Sequence, residues 1–404
     1  MQKYDTVVIG AGNAGLVAAA RLQRGGVKTL LVEKHNVPGG CATTFVRGDF
    51  EFEVALHQLS GVGTESNPFI VRRMFQDLGI FEMIDLVQEK ELYRVALPGR
   101  IDMVLPADWN ELKEHIKQQF PDEKDAIDRF FTVSEAVTRE YYMVFPQACL
   151  SNDEEKIKER CPNFTAYGLR SVREVLEEFF SNEDLITVLT PYWSYLGVPT
   201  SELVFAEFIG MLYMYSTYKP WHIKGGSQMV SSALLDSFEA AGGDVRFNCA
   251  AKKILTKDGS VFGVVLESGE TIECSSVISN ASPLLTYNEM LDVDSPPASV
   301  LQDFKSRRMG VSAFCIYLGL DCSPDELGIT TASTFIMTTT DSKVNEKGMY
   351  TLDAPEWGMV TCYNFIDEDL APKGKSVVTV VALQYGEAWN DAASSVSYHL
   401  FKQL

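Results

Sequence analysis

The sequence has little positive charge, since 35 lysine and arginine residues stand against 55 aspartate and glutamate residues and the formal net charge is −20. This deficit argues against a nucleic-acid partner and against docking on anionic lipid by charge alone. Long hydrophobic runs are also lacking, because the stretch from Leu203 to Tyr215 is too short to span a bilayer and contains Glu207. No basic segment followed by an apolar run precedes the first apolar stretch, so we expect no signal peptide.

The cysteines form none of the patterns that mark disulfide frameworks or metal sites. The eight cysteines are scattered, with no CxxC pair and no Cys/His cluster at metal-ligand spacing. We therefore expect reduced thiols, no bound metal and a cytoplasmic setting. With 404 residues, 46% of them apolar, the chain is long enough for two sizeable globular domains.

The segment VVIGAGNAGLVAAARL (Val7 to Leu22) contains the first informative pattern. The run YDTVVIG predicts a buried parallel strand, and the recurrence of apolar residues from Asn13 onward predicts a helix. The sequence RGG ends that helix, and VKTLLVEK predicts a second strand. Together these elements predict a βαβ unit whose first turn carries the glycines.

Three glycines in this turn predict a dinucleotide site. Gly10 permits the tight turn, Gly12 lets the backbone approach a pyrophosphate, and Gly15 lets the helix pack closely on the strand. The phosphates would rest on N–H groups at the helix N-terminus, where the helix dipole favours anions. We therefore expect cofactor contacts from Asn13 and Ala14 as well.

Glu33 closes the second predicted strand, 18 residues after Gly15. A carboxylate at this place accepts hydrogen bonds from ribose hydroxyls and disfavours the phosphorylated ribose of NADP. The residues of the βαβ unit leave both NAD and FAD open. Lys34, directly after the acid, is a further expected contact.

The next segment, GGCATTFVRGDFEFEVALHQLSG, separates NAD from FAD. It resembles the FAD-dependent carotenoid desaturase and isomerase family, and more closely the retinol saturase branch, whose pattern is GGC…TF…G(F/Y)EF…G.H. The resemblance implies FAD contacts from Gly39, Gly40, Thr43 and Thr44. It also implies that His57 lies near the flavin, with a core histidine as the alternative.

A second block, WHIKGGSQMVSSALLDSFEAAGGDVRFN and the strands after it, supports the same resemblance. It predicts a Gly-Gly loop, a helix from Gln228 to Ala241 and four strands. In the family, a similar block returns the chain to the FAD sheet. The resemblance implies that the backbone at Ala251 meets the adenine and that Asn280 contacts the cofactor. Lys224 departs from the family pattern, and either approaches the flavin or caps the loop.

The fold expected from this resemblance is α/β. It is a two-dinucleotide-binding-domain flavoprotein with a Rossmann-like FAD/NAD(P)-binding fold and an interleaved α+β substrate or cap domain. We expect residues 1–66 and 223–290 to form the FAD domain, residues 67–222 a mainly helical cap, and residues 291–404 the substrate-domain sheet. The family closes with a Gly-rich segment facing the flavin ring, and nothing after Leu320 has that pattern. We therefore expect a fragment or a divergent short form.

The function implied is that of an FAD-dependent oxidoreductase that saturates, desaturates or isomerises a lipophilic conjugated polyene such as a retinoid or carotenoid. The aromatic stretch from Tyr192 to Trp221 suits the wall of a substrate tunnel or a membrane-dipping lip, with packed core as the alternative. No second GxGxxG is present, so the electron donor stays open, as does a peripheral membrane contact. An amine-oxidase-like flavoprotein and a non-enzymatic, prenyl-binding relative of GDP-dissociation inhibitors are the alternatives.

Overall fold

The computed structural model describes residues 3–292 and 297–390. Sixteen strands lie in these two ranges. In chain order they are β1 (Lys3–Ile9), β2 (Thr29–Val32), β3 (Thr44–Arg47), β4 (Phe50–Glu53), β5 (Leu86–Gln88), β6 (Glu91–Leu97), β7 (Ile101–Pro106), β8 (Trp221–Ile223), β9 (Asp244–Arg246), β10 (Ala251–Lys257), β11 (Ser260–Leu266), β12 (Thr271–Ser279), β13 (Ser312–Leu320), β14 (Ser333–Met337), β15 (Trp357–Cys362) and β16 (Ser376–Gln384).

Fourteen α-helices lie in the same described ranges, together with short 3₁₀ and π segments. The helices are α1 (Asn13–Arg24), α2 (Ile70–Asp77), α3 (Trp109–Gln119), α4 (Lys124–Arg139), α5 (Phe145–Ala148), α6 (Glu154–Arg160), α7 (Val172–Phe179), α8 (Glu183–Leu189), α9 (Trp193–Leu196), α10 (Phe205–Tyr218), α11 (Ser227–Ala240), α12 (Pro283–Leu285), α13 (Ala298–Ser306) and α14 (Ser342–Gly348).

The first of two compact units comprises Met1–Leu59, Ile70–Val87 and His222–Arg308. Its six-stranded sheet has the order β10-β11-β12-β1-β2-β9. Strands β12, β1, β2 and β9 run parallel, while β10, β11 and β12 form an antiparallel meander. The predicted βαβ unit and the four predicted return strands are therefore confirmed.

The register of the parallel strands brings their carboxyl ends to one edge of this sheet. Ile9, the last residue of β1, pairs with Val32 of β2 and with Ser279 of β12. The residues that follow these three strands consequently share that edge, and they are Gly10, Glu33 and Asn280. The carboxyl edge of an open parallel sheet is where ligands of such folds bind.

The hydrophobic pattern of the first unit explains why these elements form. All four residues of β2 are buried, as expected for a strand covered on both faces. Helix α1 buries Gly15, Leu16, Ala19 and Ala20, which recur at helical spacing on one face. That face belongs to the cluster that also holds Phe238 of α11, so α1 and α11 pack on the same side of the sheet.

The second unit comprises Ser60–Phe69, Gln88–Trp221 and Met309–Leu404. Its six-stranded sheet has the order β13-β16-β15-β14-β6-β7, and its core joins this sheet to helices α3, α4, α7, α8 and α10. Strands β6 and β7 form a hairpin that turns at Pro98–Gly99, and helices α2 to α10 lie between residues 67 and 222. The family resemblance also implies a helix after the last strand, and that segment falls at residues 391–404, outside the described residues.

The aromatic stretch of the second unit is largely packed core. Five of its nine aromatic side chains are at most 7% exposed, namely Tyr192, Trp193, Phe205, Phe208 and Tyr215. Helix α10, which carries three of them, has 14 residues and is about 21 Å long. Within the described residues, no helix is long and apolar enough to cross a membrane.

Candidate cofactor site

The turn between β1 and α1 has a backbone that only glycine accommodates. Gly10 has φ +95°, in the region that L-residues rarely adopt. A Cβ on Gly15 would lie 2.0 Å from the carbonyl oxygen of Gly10, so helix α1 starts in direct contact with the turn. The two glycines therefore set the angle at which α1 leaves the sheet edge.

The N-terminus of α1 is open to a ligand. Its N-cap is Gly12, which has no side chain to accept a hydrogen bond, and the first turn contains no acidic residue. Asn13 and Ala14, the first two residues of the helix, are exposed. The first N–H groups of a helix lack partners inside it, so this end presents bare donors and the positive end of the helix dipole. Both features favour a phosphate.

A second glycine loop lies against this turn. Gly39 donates its N–H to the carbonyl of Ala11 at 2.7 Å, and it bridges to Gly12 in a parallel arrangement. A Cβ on Gly40 would lie 3.4 Å from the Cα of Gly12. Two backbone segments without side chains thus form the walls of one cradle.

The cradle is approached by one side chain of the opposite strand end. Apart from the two chain neighbours of Gly12, the only described atoms within 4 Å of a Cβ built on Gly12 belong to Asn280, whose Nδ2 would be 2.7 Å away. Asn280 is held there because its N–H donates to the carbonyl of Ile9 at 2.8 Å. Its amide is therefore placed to donate to an anion in the cradle.

Glu33 lies beside the glycine turn and is 9% exposed. Its Oε2 accepts from the N–H of Ala11 at 2.6 Å, and its Oε1 accepts from the N–H of His35 at 2.8 Å. An ionised carboxylate has about four acceptor positions, so capacity for ribose hydroxyls remains. The side chain of Lys34 is exposed beside it.

The return of the chain at β10 lies next to Glu33. The N–H of Cys249 donates to the carbonyl of Glu33 at 2.8 Å, and β10 begins two residues later at Ala251. The adenosine end of a dinucleotide held by Glu33 would consequently meet this backbone, as the family resemblance implies for Ala251.

Thr43 and Thr44 already use their hydroxyl groups within the protein. The Thr43 hydroxyl donates to Oε1 of Gln228, and the Thr44 hydroxyl donates to Oε1 of Glu51 at 2.8 Å. Cofactor contacts from these two residues therefore require their backbone or a rearranged side chain. Cys41, in the same loop, is exposed.

His57 and Lys224 lie in different environments. His57 follows β4 and is partly buried, and burial lowers its pKa to about 4, so the ring is neutral near pH 7. Lys224 is exposed, and its backbone N–H donates to the carbonyl of Asp85 at 2.9 Å. A neutral imidazole suits proton exchange or hydrogen bonding, whereas the position of Lys224 favours a role in the loop.

Sequence reasoning missed two residues that organise the site. Glu53 is fully buried, and its carboxylate accepts hydrogen bonds from the N–H and the hydroxyl of Ser227. The hydroxyl of Ser231 lies 2.9 Å from Oδ1 of Asn13 and 2.8 Å from the carbonyl of Ala42, and so links α11 to both walls of the cradle. The partners are 174 to 218 residues apart, too far for any local pattern to reveal.

The shifted pKa of His57 predicts an acid-dependent loss of stability. In the unfolded state the His57 imidazole has a pKa near 6.5, whereas in the folded state it takes up a proton only near pH 4. The free energy of unfolding is therefore highest above about pH 6.5. Protonation of His57 in the unfolded state lowers it by roughly 2 kcal/mol at pH 5. Urea unfolding above pH 6.5 and at pH 5 should show this loss of stability, and the loss should be smaller in His57→Gln. The exposed His35→Gln is the control, and an equal pH dependence in the His57 variant and the parent chain would contradict the assignment.

Comparison with known proteins agrees with this geometry. A model of the family described as flavin containing amine oxidoreductase matches residues 13–395. All-trans-retinol 13,14-reductase of Danio rerio is 27% identical over 350 residues, covering 83% of this chain and 57% of that protein. Prolycopene isomerase, chloroplastic, of Daucus carota is 22% identical over 424 residues, covering 100% of this chain and 65% of that protein. The resemblance to the carotenoid desaturase and isomerase family is thereby confirmed.

Solved structures confirm the expected fold class. An oxidoreductase from Methanosarcina mazei has a TM-score of 0.67 at 18% identity, covering 98% of this chain and 83% of that one. Putrescine oxidase bound to putrescine has a TM-score of 0.61 at 14% identity, with coverages of 98% and 79%. RAB GDI from Plasmodium falciparum has a TM-score of 0.56 at 13% identity, with coverages of 97% and 85%. The chain spans 57% of the length of the Danio rerio reductase, so it corresponds to part of that relative.

Proposed function

Because the chain belongs to the flavin containing amine oxidoreductase family, we propose that it is an FAD-dependent oxidoreductase whose substrate is a lipophilic conjugated polyene. The observation that carries the proposal is the cradle, in which the uncapped N-terminus of α1 stands between two glycine loops and ahead of the buried Glu33. Its donors and acceptors match a diphosphate flanked by a ribose.

The first unit would hold the cofactor along one edge of its sheet. The N–H groups of Asn13 and Ala14 and the amide of Asn280 would bind the diphosphate, and Glu33 would accept from the ribose of the adenosine half. The backbone at Ala251 would meet the adenine. The remaining proposed contacts follow the backbone away from the adenosine, and they are Lys34, Gly39, Gly40, Thr43 and Thr44.

When bound, FAD supplies hydride exchange with a carbon of the substrate. The protein then has to orient a long apolar molecule and exclude water. Tyr192 and Tyr215 are packed core, so the partly buried rings of the aromatic stretch, Tyr195, Tyr213 and Trp221, are the ones proposed to face such a molecule. His57, held neutral by burial, is the group of the first unit proposed to act near the flavin.

The polyene substrate is proposed from the curated relatives, whose names describe a retinol reductase and a prolycopene isomerase. An amine substrate is the second candidate, because the family description and the putrescine oxidase fold both favour it. A non-enzymatic role like that of a GDP-dissociation inhibitor is disfavoured, since the glycine turn and Glu33 form a complete cradle here.

We also propose a peripheral membrane contact through the second unit. Three apolar side chains between α4 and α7 are 73 to 77% exposed, namely Met143, Leu150 and Leu169. In this proposal the exposed apolar side chains would enter the acyl boundary of a bilayer, where a lipophilic substrate would be dissolved. The net charge of −20 favours neutral over anionic lipid.

Anaerobic flavin spectroscopy of the full chain tests the polyene proposal. The flavin is reduced by light with EDTA as the electron donor, and all-trans-retinol or prolycopene is added without oxygen. We expect the polyene spectrum to change, with reoxidation of the flavin if a double bond is saturated and without it if the bond is isomerised. In a parallel sample, putrescine is added to the oxidised flavin and should not bleach it. Bleaching by putrescine together with unchanged polyenes would replace the polyene proposal with the amine-oxidase alternative.

A further inference from the structure

Glu53 is a fully buried carboxylate that the proposed chemistry does not use. Its Oε1 accepts from the N–H of Ala55 at 3.2 Å, the N–H of Leu56 at 3.0 Å and the hydroxyl of Ser227 at 2.8 Å. Its Oε2 accepts from the N–H of Ser227 at 2.6 Å. Four donors thus satisfy a charge that would otherwise be very costly to bury.

The strand pairing of Glu53 and these four hydrogen bonds together join three segments that carry proposed site residues. Glu53 pairs with Thr44 in the β3–β4 hairpin, so it is tied by its backbone to the second glycine loop. Through Leu56 it fixes the turn that leads directly into His57. Through Ser227 it fixes the loop at Gly226, which follows Lys224.

The contact at Gly226 is especially close. Gly226 has φ +74°, and a Cβ there would lie 2.3 Å from Cγ2 of Thr44 and 2.9 Å from Oε2 of Glu53. The two loops therefore meet without room for a side chain. Glu53 lies where the two loops meet, and the positive end of the α11 helix dipole stabilises its negative charge.

The two helices of the cradle region consequently differ in what occupies their N-termini. The N-terminus of α11 is taken by the protein's own carboxylate, Glu53, through the N–H of Ser227. The N-terminus of α1 has no side-chain cap and stays open. A phosphate would bind at α1, while α11 serves as an anchor for the hairpin.

We propose that Glu53 is a positioning residue for flavin binding: its carboxylate holds the turn before His57 and the Gly226 loop against the β3–β4 hairpin, where Glu53 pairs with Thr44. It cannot touch the cofactor itself, because it has no accessible surface. The inference rests on the proposed flavin function. The β3–β4 hairpin, which was not predicted from the sequence, would then serve to preorganise the site.

Glu53→Gln tests the proposal in the full chain with two readouts. Amide hydrogen exchange of the ligand-free protein should quicken at least tenfold at Leu56 and Ser227 and stay unchanged at Leu16, because the glutamine amide presents a donor to donors. The dissociation constant for FAD should rise roughly tenfold, and the absorption bands of the bound flavin should shift. Asp49→Asn, an exposed carboxylate of the same hairpin, is the matched control and should change neither readout.

Ser227→Ala keeps the test decisive if Glu53→Gln does not fold. It removes only the hydroxyl donor, and it should give faster exchange at residue 227 and an FAD affinity weakened about threefold. Unchanged exchange and unchanged FAD affinity in both variants, beside normal binding by the parent chain, would overturn this inference alone. Failure of the parent chain to bind FAD would refute the proposed function, and the positioning role with it.

Discussion

Gly12→Val should abolish FAD binding and leave the fold of the protein intact. Gly12 has φ −69°, which valine adopts without strain, and the nearest described obstacle is the terminal amide of Asn280, which can rotate away. The valine methyl groups would occupy the cradle beside the open N-terminus of α1. We expect FAD affinity to fall by about 1,000-fold or more, equivalent to roughly 4 kcal/mol.

Equilibrium dialysis with FAD and urea unfolding of the ligand-free protein measure the two halves of this prediction. The free energy of unfolding should change by no more than about 1 kcal/mol. Ala18→Val, the control, places a valine farther along α1 and should leave FAD binding unchanged. Stoichiometric FAD in the Gly12 variant would show that the diphosphate does not lie against this turn.

Unlike Gly12→Val, Gly15→Ala should lower the free energy of unfolding of the first unit. Its single added carbon would lie 2.0 Å from the backbone oxygen of Gly10 and 3.2 Å from Cβ of Asn280. A backbone obstacle cannot rotate away, so either α1 moves off the sheet edge or the turn distorts. The expected loss in the free energy of unfolding is about 3 kcal/mol.

Urea unfolding of the ligand-free protein measures this loss. Gly348→Ala is the matched control, because a Cβ at that last residue of α14 meets nothing within 4 Å among the described residues. The control should be neutral or slightly stabilising. Equal stability of the Gly15 variant and the parent chain would mean that the close contact of α1 with the turn is not a constraint.

The elements of the first unit were predictable because their signals are local. The glycine spacing, the apolar runs and the position of Glu33 all lie within one βαβ unit, and the parallel register then brings Gly10 and Glu33 to the same edge. Asn280 could be placed only through the family resemblance, since it comes to the cradle from a strand 270 residues away.

The supporting residues could not be predicted, because their partners are distant in the sequence. From the sequence alone, Glu53 is one of several charged residues of a hairpin and Ser231 is one residue of a helix. Their roles become clear only from the contacts of Glu53 with Ser227 and of Ser231 with Asn13. Aromatic composition was likewise ambiguous, since Tyr192 and Phe208 suit a tunnel wall and a packed core equally well.

The most direct test is the flavin content of the unsubstituted protein. The full chain is purified, incubated with FAD and freed of excess cofactor, and the bound flavin is released by heat and identified. Because the amides at α1 and the carboxylate of Glu33 are in place before any ligand arrives, we expect yellow protein with one FAD per chain. A colourless protein that takes up no FAD would contradict it.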